Sequence, residues 1–281
     1  MLFGKKILFV IIPVIFVLLA IAFFRFNLQE KIERRILGLS ASRQASSEPK
    51  QVSIKGKQKV KYPEDYTILL LGDSMTERLG NSDELRAYLK GYYPNKSFEV
   101  LNYGFGSTNI LSVQERLEKE TFHGRKFRPI LDIAFDLILI ESFGHNPLSQ
   151  FSLEEGLRKQ TGALDKIVAS IRKENPNTKL LFVATIAPNK RSYGEGQVDL
   201  TPDVREKWAL ERNAYIKNHI EYANSHQIPL INIFEKSLNE DGDGDLMYID
   251  SADFIHPSPS GIYFISKEIA DYVYNNKILN P

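Results

Sequence analysis

The chain has 281 residues, 43% of them hydrophobic and 25% charged, which is enough for one globular domain with a sizeable core. Its 36 basic and 35 acidic side chains leave a formal net charge of +1, so there is no overall positive field of the kind that attracts nucleic acid, and we expect no nucleic-acid partner. The absence of cysteine excludes disulfides, thiolate zinc sites and a cysteine nucleophile.

The first predicted element is an apolar run from Ile7 to Phe24, which contains no charged residue and follows Lys5 and Lys6. A helix of this length, at about 1.5 Å per residue, covers roughly the hydrocarbon thickness of a bilayer. We therefore predict a short tail at residues 1–6 and a transmembrane helix at residues 7–24 that anchors the protein in a membrane.

The alternative for this run is a cleaved signal peptide, because Ala20 and Ala22 have the small-x-small spacing of a cleavage site. Both alanines lie inside the apolar run, which favours a retained anchor. Basic residues flank the run on both sides, so charge alone does not decide its orientation. A short N-terminal anchor before a single domain commonly acts as an export signal, so we expect a single-pass membrane protein with its catalytic domain outside the cytoplasm.

Residues 25–61 are predicted to form a juxtamembrane helix and a flexible linker. The stretch from Ser40 to Lys61 is polar and has few large apolar residues, which is typical of a linker. The folded domain is predicted to occupy residues 62–281.

Within this domain, short apolar runs without polar alternation are predicted to be strands buried on both faces. They are Thr67 to Leu71, Phe98 to Tyr103, Asp136 to Glu141, Lys179 to Ile186 and Ile228 to Phe234. Helical periods lie between them, with start signals at Ser152, at Thr201-Pro202 and at Ser258-Pro259. This alternation predicts an α/β fold with a five-stranded parallel sheet that is covered by helices on both sides.

Functional sites in such sheets lie at the carboxyl ends of the strands, and Ser74 directly follows the first predicted strand. Ser74 and Glu77 also have the spacing of a capping box, so a helix cap explains the serine equally well when it is considered alone. Asp253 and His256 stand directly before the last predicted helix. A serine nucleophile needs a base, and that base needs an acceptor for its second ring nitrogen, so this pair favours Ser74 as a nucleophile.

Two further strand ends offer donors for a developing oxyanion. The turn from Asn102 to Thr108 is rich in glycine, and Asn146 follows the third predicted strand. Each feature alone is also an ordinary turn signal.

The remaining histidines have simpler interpretations. We assign His219 and His226 structural roles on a polar helix face, and His123 has no evident acid partner in the sequence. His145 adjoins a strand end, where it either contacts substrate or packs and forms hydrogen bonds. The loop from Asn189 to Leu200 is predicted to shape the substrate site.

An acidic segment at Asp241, Asp243 and Asp245 has part of the spacing of a calcium loop. The glycine expected at its sixth position is Leu246, and the glutamate expected at its twelfth is Ala252. We interpret it as an acidic surface turn, and we expect neither a metal nor a cofactor.

Taken together, Gly72-Asp73-Ser74, the glycine-rich turn, Gly144-His145-Asn146 and Asp253-x-x-His256 resemble the SGNH subgroup of the GDSL hydrolases. The resemblance extends roughly from Tyr66 to Tyr274. It implies a flavodoxin-like three-layer α/β/α sandwich. It also implies that Ser74 is the nucleophile and donates its own N–H to the oxyanion, that Asn146 donates its side chain, and that Asp253 orients His256 as the base.

The chain departs from the family pattern at two positions. The oxyanion glycine of many members falls on Ser107, while Gly106 lies just before it, so the backbone donor stays open between these two residues. The usual Asn-Asp pair is Asn146-Pro147 here.

The resemblance, together with the predicted anchor, implies an esterase that forms an acyl-Ser74 intermediate. The expected substrate is an ester of a small acyl group, such as acetate, on a cell-surface carbohydrate. One alternative is an O-acetyltransferase that uses the same triad on an envelope polymer. A second alternative is a non-catalytic carbohydrate-binding module.

Overall fold

A computed structural model of the protein describes residues 58–280. The predicted transmembrane helix at residues 7–24 and nearly all of the predicted linker lie outside this range. Among residues 58–280, no helix combines the length and the apolar character needed to cross a bilayer.

Seven strands form in the described residues: β1 (Tyr66–Gly72), β2 (Phe98–Gly104), β3 (Thr121–His123), β4 (Arg125–Phe127), β5 (Leu137–Glu141), β6 (Lys179–Ala184) and β7 (Leu230–Asn232). Five of them make one parallel sheet in the order β2-β1-β5-β6-β7. Counted within the sheet alone, this is the 2-1-3-4-5 order of flavodoxin-like folds. The predicted five-stranded parallel sheet is confirmed.

The described helices are α1 (Ser74–Glu77), α2 (Asp83–Tyr92), α3 (Val113–Glu118), α4 (Leu153–Glu174), α5 (Pro202–Ser225), α6 (Ile233–Lys236) and α7 (Pro259–Asn275). They cover both faces of the sheet. Ile68 and Leu70 of β1 pack in a core with α2 and α7, whereas Leu69 and Leu71 pack in a second core with α3, α4 and α5. Because successive strand residues point to opposite faces, one strand joins both cores, and the result is a three-layer α/β/α sandwich.

The predicted helix starts are confirmed. The hydroxyl oxygen of Ser152 accepts a hydrogen bond from Glu155 N at 3.3 Å, and that of Ser258 accepts one from Gly261 N at 3.0 Å. Each side chain satisfies a backbone donor that the helix itself leaves unpaired. Helix α5 begins at Pro202, where a missing N–H costs nothing.

Two predictions about strands need correction. The last strand was predicted to run from Ile228 to Phe234, but β7 covers only Leu230–Asn232 and is followed directly by α6. The Asn232 side chain accepts from Glu235 N at 3.2 Å and so caps a helix where hydrophobicity suggested more strand. The antiparallel hairpin of β3 and β4 is absent from the predicted strands. Each of its strands has only three residues, which is too short for a recognisable sequence pattern.

Candidate active site

The carboxyl ends of β1, β2 and β5 lead into loops that meet at one edge of the sheet. These loops and the segment before α7 surround a cleft of about 590 Å³. The cleft is lined by every residue of the predicted site except Asp253: Ser74, Gly106, Ser107, Asn146 and His256. Residues separated by as many as 182 positions in the sequence, from Ser74 to His256, therefore lie around one space.

Ser74 lies at the sharp turn between β1 and α1. A Cβ atom on Gly72 would come within 2.0 Å of Thr76 Oγ1, so the turn requires glycine at that position. The cap of α1 is Asp73, whose Oδ1 accepts a hydrogen bond from Met75 N at 2.8 Å. The interpretation of Ser74 as a helix cap is therefore wrong, and its hydroxyl is free to face the cleft.

Asp73 is fully buried and connects three parts of the site. Its Oδ2 accepts a hydrogen bond from Asn146 Nδ2 at 2.9 Å, and its own N–H donates to Glu141 Oε2 at 3.3 Å. Burial raises the pKa of Asp73, although the hydrogen bonds from Asn146 and Met75 oppose this effect. The carboxylate ties the nucleophile turn to the loop that carries Asn146.

Glu141 is the second buried carboxyl group beneath the cleft. Its Oε1 accepts hydrogen bonds from Ser142 Oγ at 2.7 Å and from Phe143 N at 2.9 Å. Burial raises the pKa of Glu141 well above its usual range, and the neighbouring charge of Asp73 adds to the rise. Two adjacent carboxyl groups in a low-dielectric site favour a state in which one of them keeps its proton.

Arg116 is the buried cation nearest to this pair. Its guanidinium Nη1 donates to the carbonyl of Gly72 at 2.8 Å and to that of Tyr103 at 3.0 Å, and so joins the ends of β1 and β2. Burial lowers the pKa of Arg116 to about 10, while the charges of Asp73 and Glu141 act in the opposite direction. Arg116 is still a cation at neutral pH and partly balances the two carboxyl groups.

Asp253 and His256 form a closed turn. Asp253 Oδ1 accepts from the backbone N–H of Ile255 at 2.8 Å and from that of His256 at 2.9 Å, and Oδ2 lies 2.7 Å from His256 Nδ1. The carboxylate fixes the imidazole so that Nδ1 is its protonated nitrogen and Nε2 is left as an acceptor.

The environment of Asp253 keeps it ionised. Burial by itself would raise its pKa, but the hydrogen bonds from His256 and Ile255 outweigh that effect and lower the pKa. The guanidinium of Arg78, which lines the cleft, lies 3.8 Å from Asp253 Oδ2. Between Ser74 Oγ and His256 there is no hydrogen bond in the described structure, and in unliganded enzymes such contacts are often long until substrate binds.

Several donor groups belong to residues that line the cleft and have no hydrogen-bond partner among the described residues. Among the described residues, the backbone N–H groups of Ser74, Gly106 and Ser107 donate no hydrogen bond, and Asn146 Nδ2 uses one of its two protons on Asp73. Unpaired N–H groups around a nucleophile are what a tetrahedral oxyanion requires. The choice between Gly106 and Ser107 as the backbone donor stays a prediction, since both line the cleft.

Strained backbone occurs in three segments of the site: the loop after β2, the loop after β5 and the segment before α7. Among the described residues, six that are not glycine have positive φ, and three of these are Ser107 (58°), Phe143 (54°) and Phe254 (52°). They lie beside Gly106, before Asn146 and between Asp253 and His256. Such conformations cost of order 1–3 kcal/mol each and persist where the surrounding structure fixes them.

His123 has an acid partner that the sequence did not suggest. Its Nε2 lies 2.8 Å from Glu77 Oε1, and its ring stacks on Phe105 at 4.6 Å between centroids. The other oxygen of Glu77 lies 2.3 Å from where a Cβ on Gly106 would be, so the pair borders the turn that carries the predicted backbone donors. The partner was missed because β3 and β4, which bring His123 to α1, were not predicted.

His145 is buried and adjoins the cleft. Its Nε2 lies 3.2 Å from the carbonyl oxygen of Ile186, and its Nδ1 lies 3.3 Å from the hydroxyl of Tyr193. Burial lowers the pKa of His145 to about 3, so the ring is neutral, with Nε2 donating and Nδ1 accepting. Its hydrogen bonds make it a positioning residue for the wall of the cleft.

Three further residues of this wall are Tyr193, Trp208 and Arg212. Tyr193 lies in the loop that was predicted to shape the site, and burial raises its pKa to about 12. The other two are one helical turn apart on α5, and the sequence offered no sign of them beyond helical periodicity. Only the packing of α5 against the loops places them at the cleft.

The other sequence features lie elsewhere. His219 is fully buried and stacks on Phe182 with 4.2 Å between ring centroids, so its predicted placement on a polar helix face is wrong. His226 is exposed and stacks on Tyr222. In the acidic segment, Asp243 is buried and accepts from the backbone N–H of Lys190 at 3.0 Å, which ties the segment to the loop that follows β6.

The fold is a flavodoxin-like α/β/α sandwich, and the predicted serine, histidine and amide groups meet at the carboxyl end of its parallel sheet. Residues 70–262 match the GDSL-like lipase/acylhydrolase family. The chain belongs to this family and is a GDSL-type serine hydrolase that acts on ester bonds. No curated protein matches the sequence.

Solved structures share the fold. A lipase/acylhydrolase from Enterococcus faecalis has a TM-score of 0.55 at 15% identity, over 75% of this chain and 96% of that chain. An acetyl xylan esterase has a TM-score of 0.51 at 15% identity, over 74% and 99%. A GDSL-like lipase from Bacteroides thetaiotaomicron has a TM-score of 0.50 at 10% identity, over 75% and 89%. At these identities the likeness shows the fold alone.

Proposed function

We propose that the protein is an esterase that removes a small O-acyl group, such as acetyl, from a carbohydrate through an acyl-Ser74 intermediate. The observation that carries this proposal is that one cleft collects the Ser74 hydroxyl, the His256 imidazole held by Asp253, and a set of unpaired donors. These are the three parts that acyl transfer to serine requires: a nucleophile, a base and oxyanion donors.

In the first half of the proposed reaction, His256 Nε2 takes the proton of the Ser74 hydroxyl as Oγ attacks the ester carbonyl. The imidazolium that forms is stabilised by Asp253 through Nδ1. The carbonyl oxygen becomes an oxyanion, which accepts from the N–H of Ser74, from Asn146 Nδ2 and from the N–H of Gly106 or Ser107. When the C–O bond breaks, the alcohol leaves with the proton from His256, and the acyl group stays on Ser74.

In the second half, water takes the place of the alcohol. His256 removes a proton from the water, the hydroxide attacks the acyl-Ser74 carbonyl, and the same donors bind the second oxyanion. The acid is released, and Ser74 regains its proton from His256.

The lining of the cleft favours a small acyl group. Among the described residues that line it, Ile255 is the one aliphatic side chain, and most of the others are polar or charged. A long acyl chain gains free energy by leaving water against a row of aliphatic side chains, and Ile255 alone supplies such a contact among the described residues of the cleft. The expected preference for 4-nitrophenyl acetate over the octanoate is therefore at least about tenfold in kcat/KM.

The carbohydrate part of the proposal is supported by the many polar and charged residues that line the cleft and by the predicted anchor, which would hold the domain near cell-surface polymers. One protein of the same fold is an acetyl xylan esterase. Incubation with acetylated xylan is expected to release free acetate faster than acetyl groups are transferred to an added sugar. Transfer that exceeded release would instead assign the protein as an acetyltransferase.

The nucleophile is tested by a fluorophosphonate probe on the full-length protein. The wild type is expected to be labelled, while Ser74→Ala is not, because the probe reacts with an activated serine. Ser107→Ala is the matched control in the same cleft and is expected to be labelled like the wild type. Equal labelling of Ser74→Ala and wild type, or no labelling of either, overturns the assignment.

We also propose that residues 7–24 anchor the protein in a membrane, with the domain outside the cytoplasm. The support is the uncharged apolar run and its length. The full-length protein is expected to stay in the membrane pellet after alkaline carbonate extraction and to be digested by protease added to intact cells. Recovery in the carbonate supernatant argues for cleavage of the segment.

A further inference from the structure

Trp208 is a large aromatic side chain that the protein does not use for its core. It is half-buried and lines the cleft that holds Ser74 and His256. It belongs to neither of the two cores that cover the sheet, and it stacks on no other aromatic ring in the described structure. The free face of an indole gains free energy when an apolar surface covers it, so a half-buried tryptophan beside the site is a candidate binding surface.

The indole is held from one side by Arg212. The guanidinium carbon lies 4.8 Å from the centroid of the Trp208 ring, and Nη1 donates to the Trp208 carbonyl at 3.2 Å. Because the two residues are one helical turn apart on α5, the contact forms along the helix surface. The Arg212 side chain is only 11% exposed, so it is a fixed support for the ring.

Arg212 is itself fixed by the wall of the cleft. Its Nε donates to the Tyr193 hydroxyl at 3.2 Å, and its Nη1 pairs with Glu211 Oε2 at 2.9 Å. The Tyr193 hydroxyl in turn lies 3.3 Å from His145 Nδ1. A chain of hydrogen bonds therefore holds the guanidinium against the indole, and a ring supported in this way loses less conformational entropy when a ligand stacks on it.

Two donors beside the ring are unused. Trp208 Nε1 and Arg212 Nη2 form no hydrogen bond with any described residue. Both atoms are accessible to solvent, so a ligand can reach them. An aromatic ring flanked by free donors suits a ligand that has one apolar face and a rim of hydroxyl groups. A pyranose has this character, because its axial C–H groups form an apolar face. A lipid alcohol lacks the hydroxyl rim.

We propose that Trp208 is a specificity-determining residue on which the sugar ring of the substrate stacks, with its scissile ester directed to Ser74. This inference rests on the proposed esterase function and names the part of the cleft that selects the alcohol. The acyl group occupies the space beside Asn146 and Gly106, and the sugar lies on the α5 side.

The kinetic test compares two triacetates that differ in the shape of the alcohol: methyl β-D-xylopyranoside triacetate, which has a ring, and glycerol triacetate, which is acyclic. Trp208→Ala in the full-length protein is expected to lower kcat/KM for the ring substrate roughly tenfold, which corresponds to about 1.4 kcal/mol of lost aromatic stacking, and to change that for glycerol triacetate less than about twofold. Trp208→Phe is expected to recover most of the loss. Tyr263→Ala is the control for removal of an exposed aromatic ring elsewhere, on α7, and should behave like the wild type.

A second test does not depend on catalysis. Trp208 is the one tryptophan in the 281 residues, so tryptophan emission reports on this position alone. Titration of Ser74→Ala protein with methyl β-D-xylopyranoside is expected to change the emission saturably, whereas xylitol, its acyclic counterpart, is expected to leave it unchanged.

The outcomes separate this inference from the function on which it rests. Equal losses on both triacetates with Trp208→Ala, or none on either, together with no saturable change of emission, overturn the stacking role and leave the esterase intact. If the wild type cleaves neither triacetate, the proposed removal of acetyl groups fails. The fluorescence titration then still decides whether Trp208 binds a sugar.

Discussion

Asn146 donates a side-chain N–H to Asp73 Oδ2 at 2.9 Å, and the other oxygen of Asp73 caps the helix that begins at Ser74. A single buried carboxylate thus sets the distance between the proposed nucleophile and one of its oxyanion donors. The bond also fixes which end of the Asn146 amide is nitrogen, so that the second N–H is the group available to the cleft.

Asp73→Asn tests this relationship. Asparagine caps helices as well as aspartate does, so the cap is expected to be kept, while one unpaired buried amide N–H is expected to cost about 1–3 kcal/mol of stability. Its amide nitrogen, however, would face that of Asn146 or force it to turn, which removes an oxyanion donor and lowers kcat by roughly 100-fold.

The matched control is Asp245→Asn. Asp245 caps a short helical turn in the same way, by accepting from Met247 N at 2.9 Å, and does not line the cleft. Steady-state kinetics and urea unfolding of both variants give the comparison. Equal activity of Asp73→Asn and Asp245→Asn would show that Asp73 acts only as a cap.

Asp253→Asn is expected to lower kcat by roughly 10²- to 10⁴-fold while the fold stays intact, because an amide nitrogen next to His256 Nδ1 imposes the wrong tautomer. The asparagine oxygen can still accept from the backbone N–H groups of Ile255 and His256, so the turn is preserved. Asp250→Asn is the control, since Asp250 accepts from Ala252 N in the same loop. A loss below fivefold in kcat for Asp253→Asn would remove it from the triad.

Ser107→Gly is expected to raise the free energy of unfolding by roughly 1 kcal/mol, because Ser107 has a φ of 58° and glycine adopts this conformation without strain. Activity is expected to stay within about twofold, since the proposed donor is a backbone N–H that every residue other than proline keeps. Lys277→Gly, at a φ of 53° far from the cleft, should give a similar gain. A large loss of kcat in Ser107→Gly alone would assign a role to the serine hydroxyl.

Acid stability depends on buried histidines. Burial lowers the pKa of His219 from 6.5 to about 3, so below pH 6.5 the unfolded chain takes up a proton that the native protein does not. This group therefore costs stability progressively as the pH falls from 6.5 towards 3. Between pH 7 and pH 4.5, the free energy of unfolding of His219→Leu is expected to fall by roughly 2 kcal/mol less than that of the wild type.

The measurement is urea unfolding of both proteins at the two pH values. Because the prediction concerns the difference between the pH values, it holds even if the substitution changes stability at pH 7. If the free energy of unfolding falls by the same amount in both proteins between pH 7 and pH 4.5, then His219 takes up a proton in the native state at the lower pH.

The sequence by itself determined the sheet and the positions of the loops that matter. Buried strands such as β1 are apolar on both faces, and helix starts at Ser152 and Ser258 have local capping signals, so neither depends on distant residues. Asp253 and His256 are three residues apart, and their pairing is likewise a local property of one turn. This is why the motif could be found before the fold was known.

Only the tertiary structure decided what faces the cleft. In the sequence, Trp208 and Arg212 are ordinary positions of a predicted helix, and the pairing of His123 with Glu77 depends on two strands that are too short to predict. Whether Ser74 caps a helix was settled by its neighbour Asp73, whose carboxylate takes the cap and also binds Asn146, 73 residues away. Local propensity determines the helices and strands. Contacts between distant segments depend on how those elements pack, and the local signals in one sequence carry little of that information.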